Sequence, residues 1–127
     1  MKALLSIKPE FVEKIFSEEK KYEFRKIIFK RDVDTVVIYS TMPEGKIVGE
    51  FRVKNVLHDN IEGLWKQTSE YAGISYEFYK KYFGNKKVAY AIQIGEVIRY
   101  ETPIDPKLID PSFVPPQSFC YTDMEYV

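Results

Sequence analysis

Soft metal ligands are almost missing from this chain, which has one cysteine, Cys120, and one histidine, His58. A structural zinc site takes four ligands of that kind, so the composition argues against one. A lone cysteine also rules out an intrachain disulfide and fits a reducing compartment, so a cytoplasmic location is expected. Net charge is lacking too. Nineteen Lys and Arg balance nineteen Asp and Glu, which argues against a polycation that coats nucleic acid in bulk. No apolar run approaches the length of a membrane span, and the short one in "MKALLSIKPE" is too brief for a secretory signal. A Walker loop, a dinucleotide fingerprint and a helix-turn-helix are likewise missing. No metal, cofactor or membrane partner is expected.

Aromatic residues are abundant: ten Tyr, nine Phe and one Trp make up 16% of the chain. Such a content suits either a strand-rich core or a stacking surface. A hydrophobic fraction of 45% over 127 residues is enough to bury a core. With no repeat, low-complexity run or linker, residues 1–127 read as one domain. Charge is unevenly spread along it. Residues 1–31 carry nine Lys and Arg against five Asp and Glu, while residues 101–127 carry one against five. An anion site would therefore draw on the N-terminal third and act locally.

Periodicity predicts a strand over Lys2–Ile7, then a helix opened by Pro9 that places Phe11, Val12, Ile15 and Phe16 on one face and ends near Glu19. The pattern changes to period two in "KYEFRKIIFK", in "TVVIYS" and in "KIVGEFRVKNVL", the last preceded by a turn at Pro43–Gly45. Between Asn60 and Gly84 it becomes helical. "IEGLWKQ" is a short helix, and "SYEFYKKYF" a second with Ser75 as N-cap and Phe78, Tyr79, Tyr82 and Phe83 inward. "KVAYAIQIGEVIRY" returns to strand. From about residue 101 the chain is acidic and Pro-rich, and its Phe119 and Tyr121 predict packing along the barrel. This order describes an α+β fold with a small mixed β-barrel flanked by two to three helices.

One stretch, "EEKKYEFRK" (Glu18–Lys26), bears most on function. Alternation puts Lys21, Glu23 and Arg25 on one face of a strand and Tyr22 and Phe24 on the other, with Lys20 at the helix-to-strand junction. A carboxylate beside a guanidinium can hold it ready for bidentate contact with phosphate or a base edge. The same residues would equally serve as a solvated strand face whose ion pairs are worth little.

"SIKPEFVEKIFSEEKKYEFRK" resembles the opening of an ASCH domain, of the PUA-like superfamily. The family pattern there is Gly-x-Lys-x-x-Glu-x-Arg, and Lys20, Glu23 and Arg25 stand at its Lys, Glu and Arg positions. Its Gly position holds Glu18. "IYSTMPEGKIVGEF", "VAYAIQI" and "PPQSFCY" are similar to later segments, so the resemblance covers nearly the whole chain. It implies a PUA-like β-barrel with a cleft beside the helix and the motif strand, binding RNA or a nucleotide-like ligand, in RNA-linked or transcriptional regulation. Lys20, Glu23 and Arg25 are then cleft residues. Ser6 and Lys8 lie at the rim, Lys21 belongs to the binding face, and Tyr39, Ser40 and Thr41 supply hydroxyls or a stacking ring.

The alternative is a small metal-independent hydrolase, either an amidohydrolase on modified nucleosides or a ribonuclease. Lys20 matches the lysine of the amidohydrolase relatives, but Glu23 stands where their Thr nucleophile should be, which counts against that mechanism. Lys20, Glu23 and Glu70 would carry any hydrolysis. His58, in "VLHDN", reads as a solvated loop residue, Trp65 as a core anchor and Cys120 as a small buried hydrophobe. A third reading is a protein-interaction module with the C-terminal segment as its contact.

Overall fold

The computed structural model describes residues 1–126. Strand β1 (Lys2–Ile7) leads into α1 (Pro9–Phe16), which Pro9 opens at its first position. Val12 and Ile15, three apart, face inward from α1. The helix stops where Glu18 turns left-handed at φ 66°. The Glu18 N–H reaches back to the Ile15 carbonyl at 3.1 Å, and that of Lys20 to Lys14 at 3.0 Å. This is the closing usually given to glycine, made here by a residue with a β-carbon.

β2 (Tyr22–Arg25), β3 (Thr35–Ser40) and β4 (Lys46–Asp59) follow. Next come α2 (Ile61–Thr68), a single 3-10 turn at Ser69–Tyr71, and α3 (Tyr76–Phe83). β5 (Ala89–Ile104), the short α4 (Pro106–Ile109) and β6 (Phe119–Thr122) complete the order. Asn60 and Ser75 cap α2 and α3 with side-chain oxygens, on Gly63 at 2.7 Å and Phe78 at 3.1 Å.

Among the described residues, six strands form one mixed sheet in the order β2-β5-β4-β3-β1-β6. β1 and β3 run parallel, and the other pairs antiparallel. β4 and β5 are long enough to serve three cores. Ala3, Leu5, Ile7, Val12, Ile15 and Phe51 belong to the first, under α1. Phe24, Leu64, Tyr79 and Phe83 belong to the second, under α2 and α3. Leu4, Val37, Tyr39, Ile47 and Tyr100 form the third. Gly49 lets α1 come this close, because a β-carbon there would meet the Phe16 ring at 2.8 Å and the Ile98 carbonyl at 2.5 Å.

The sheet is not closed into a barrel, contrary to the sequence reading, and four helices flank it rather than two or three. The extended run in "KYEFRKIIFK" ends at Arg25. Ile28 and Phe29 then leave the sheet to pack on the α1 core. With four residues in β2 there is too little strand to pair with the far edge. The acidic Pro-rich segment does pack on the sheet, as β6 against β1. Cys120 is exposed rather than buried, because Phe119 and Tyr121 take the core side of β6. No helix among the described residues is long and apolar enough to cross a membrane.

Candidate functional site

The left-handed turn at Glu18 delivers Lys20 between two fixed backbones. The Lys21 N–H donates to the Tyr71 carbonyl at 2.9 Å, and the Lys21 carbonyl accepts from Ile94 at 2.9 Å. The Lys20 stem therefore lies on the loop after the 3-10 turn. Gly73 takes φ 70° there, and a β-carbon on it would sit 2.5 Å from Lys20 Cβ. The Lys20 Nζ donates to the Ala72 carbonyl at 2.8 Å and stands 4.9 Å from the Phe24 ring centre and 5.4 Å from that of Phe11. Burial among these rings brings its pKa down from 10.5 to about 8; Glu23 pulls it up, while Lys14 and Arg25 push it further down.

Alternation along β2 places Glu23 and Arg25 side by side, 3.1 Å apart and nearly buried. Arg25 reaches across the open seam of the sheet. Its Nη2 donates to the Ser6 carbonyl on β1 at 2.9 Å, and its Nη1 to the Ser118 carbonyl, just before β6, at 3.2 Å. The Ser6 hydroxyl donates to the Pro116 carbonyl at 2.7 Å. One guanidinium thus joins two strand edges that share no ladder. Arg25 Nε, though buried, has no acceptor among the described residues.

A cavity of about 260 Å³ opens between these elements. Its polar wall is Lys20, Glu23 and Arg25, with Ser6 and Lys8 at the β1–α1 junction. Its apolar wall is Phe11, Phe24, Ile74, Phe78 and Tyr82, and Gln117 covers one side. Such a hollow, apolar with a few convergent charges, has the usual make-up of a small-ligand site. Among the described residues, no three His, Cys, Asp or Glu side chains stand together as a metal-binding set.

Five residues singled out in the sequence therefore meet: Ser6, Lys8, Lys20, Glu23 and Arg25. Others stand elsewhere. Lys21 is exposed, its amine 4.6 Å above the Tyr71 ring, and lines a different hollow with Lys54 and Gln93. Tyr39 packs its ring on Phe113 at 5.5 Å and lines a separate hollow with Lys46 and Pro115. Between the two hollows runs the chain from Phe113 to Gln117, which the sequence alone could not route. Ser40 is fully buried with its hydroxyl unpartnered, and Thr41 gives its N–H to the Ile7 carbonyl at 3.0 Å. Glu70 is exposed on the 3-10 turn, and neither it nor His58, exposed on β4, lines the cavity.

The aromatic wall was only half legible. Phe78 and Tyr82 fall on the face of α3 expected to be inward, but Phe78 is 39% exposed and Tyr82 half-buried, because they line the cavity instead of filling a core. Trp65 does anchor α2, against Tyr79 at 4.8 Å.

The ASCH domain family model matches residues 5–98. The ASCH domain-containing ribonuclease of Zymomonas mobilis is 29% identical over 130 residues, which span 97% of this chain and 85% of that protein. A crystal structure of ASCH from the same organism superposes with a TM-score of 0.88 at 28% identity, covering 95% of this chain and 87% of that one. The ATP synthase subunit alpha of Ureaplasma parvum is 31% identical over 103 residues, 80% of this chain, which spans only 13% of that relative's length.

Proposed function

Since the chain belongs to the ASCH domain family, we propose that it binds RNA, taking one base or nucleotide into the cavity walled by Lys20, Glu23 and Arg25. Lys20 carries this reading. Glu23 and Arg25 have a structural reason for being buried, since they close the seam of the sheet. Lys20 has none of that kind: its ammonium can donate three hydrogen bonds, yet it has a single acceptor among the described residues, the Ala72 carbonyl. A cation desolvated at the wall of an open cavity, with donors to spare, suits a carbonyl edge or a phosphate oxygen. Phe78 and Tyr82 supply rings for stacking. If no product forms, such binding suits an RNA-linked regulatory role.

Trp65 packs on Tyr76 and Tyr79 of α3, so its fluorescence reports on the cavity wall. Titration with short single-stranded RNAs should give saturable quenching in the wild type and binding weaker by about five-fold or more in Phe78→Ala, if stacking is worth the usual ~1–3 kcal/mol per base. Equal affinity in both proteins would sink the cavity as the binding site.

A second reading is metal-independent RNA cleavage, favoured by the likeness to the Zymomonas ASCH domain-containing ribonuclease, which aligns over 97% of this chain. In it, the neutral Lys20 amine accepts the proton of a ribose 2′-hydroxyl as that oxygen attacks the adjacent phosphorus; the bond from phosphorus to the next nucleotide's 5′-oxygen breaks, that oxygen takes a proton from water, a 2′,3′-cyclic phosphate is left, and Arg25 stabilises the extra charge. Product analysis of the same mixtures decides between the readings: cleavage lost in Lys20→Met makes the protein an enzyme, and intact RNA at saturation makes it a binder.

A further inference from the structure

We propose that the lip of the cavity is a clamp for two phosphates, so that the protein takes its base from within a single-stranded RNA chain and not as a free nucleoside. This rests on the RNA reading above. Phe78 and Tyr82 stand four apart on α3, neighbours on one helix face, and both line the cavity. Each ring carries a lysine from a different element. Lys8, from the β1–α1 junction, holds its ammonium 5.9 Å from the Phe78 ring centre. Lys26, just past β2, holds its own 4.8 Å from the Tyr82 ring centre.

These two lysines are exposed, and among the described residues neither has a carboxylate within ion-pair distance. Lys80, on α3 and also over a ring, is different. It is neutralised by Glu62 at 2.9 Å while standing 5.9 Å from the Tyr76 ring. Lys8, which lines the cavity, and Lys26, over a ring that lines it, stay uncommitted.

A base inserted between Lys8 and Lys26 leaves its two flanking phosphates outside, one toward each lysine. The long lysine stems let the ammonium groups swing from ring to phosphate, exchanging a weak cation–π contact for a charge-assisted hydrogen bond. The rings, thus uncovered, are free to stack the neighbouring bases. The local excess of basic charge in residues 1–31 points the same way.

The test compares adenosine, cytidine and uridine with single-stranded oligoadenylate, oligocytidylate and oligouridylate, at two salt concentrations. Wild type and the double variant Lys8→Gln/Lys26→Gln are measured side by side. Both lysines are exposed and unpaired, so the variant folds as the wild type does. The best oligonucleotide should bind wild type at least ten-fold tighter than its nucleoside. Two phosphate contacts should weaken that binding roughly seven-fold between about 50 and about 200 mM salt. In the double variant the ratio of oligonucleotide to nucleoside affinity should fall toward one, and most of the salt dependence should be lost. If nucleoside and oligonucleotide bind wild type alike, or the variant keeps the salt dependence, the clamp is refuted while the cavity reading stands. If neither ligand binds, both fall.

Discussion

Lys20 should make the protein more stable in alkali, in a window set by its own titration. Its pKa is about 8 in the folded chain, against 10.5 for a free lysine. Below pH 8 both folded and unfolded chains hold the proton, and the fold bears the full cost of a desolvated cation. Between pH 8 and 10.5 the unfolded chain still holds the proton while the folded chain has released it, so stability rises with pH. At 1.36 kcal/mol per pKa unit, the gain is about 1.4 kcal/mol from pH 7 to 9 and about 2.5 kcal/mol from pH 7 to 10. Lys20→Met fills the same space without the titration. Urea unfolding followed by Trp65 fluorescence, on both proteins at pH 7, 8, 9 and 10, isolates the effect. The phenols and the other lysines titrate alike in both and cancel in the difference. Relative to Lys20→Met, wild type should gain those amounts as pH rises. A flat difference across the range would mean that the amine is as well solvated as a surface lysine, and the argument that its burial serves a ligand would go with it.

Glu18→Gly relieves a left-handed residue at φ 66° and should stabilise the fold by about 1 kcal/mol, read from the urea midpoint. Gly73→Ala places a β-carbon 2.5 Å from Lys20 Cβ at φ 70°. It should cost about 1–3 kcal/mol and weaken RNA binding more than stability alone explains, since it displaces the amine. Arg25→Ala leaves Glu23 buried without its partner and frees the Ser6 and Ser118 carbonyls. It should cost about 3–5 kcal/mol by urea titration and speed amide exchange in β6, and unchanged exchange there would show that the seam closes without it.

What could be read from the sequence was what depends on neighbours a few residues away. Lys2–Ile7 and Thr35–Ser40 show their strand character in local composition, and Ser75 shows its capping role by standing just before an amphipathic run. The pairing of Glu23 with Arg25 follows from alternation over three residues. Much that depends on a distant partner was illegible. The course of residues 113–117, which parts Tyr39 from the cavity, depends on hydrogen bonds between residues about a hundred positions apart. The same holds for the open sheet: nothing in "KYEFRKIIFK" says that Phe29 will find Phe119, 5.2 Å away, more rewarding than another strand.

The seam held by Arg25 also bears on how the molecule is made. Ribosomes release the chain from its N-terminus, so Lys20, Glu23 and Arg25 emerge early and wait for roughly ninety residues more before the Ser118 carbonyl exists. Until then the guanidinium has one of its two backbone anchors, and the wall formed by Gln117 is missing. A nascent chain therefore carries the motif but not the pocket, and a protease that trims the segment after Asp110 would return a finished molecule to that immature condition. Residues made later govern when Lys20, Glu23 and Arg25, made earlier, become a site.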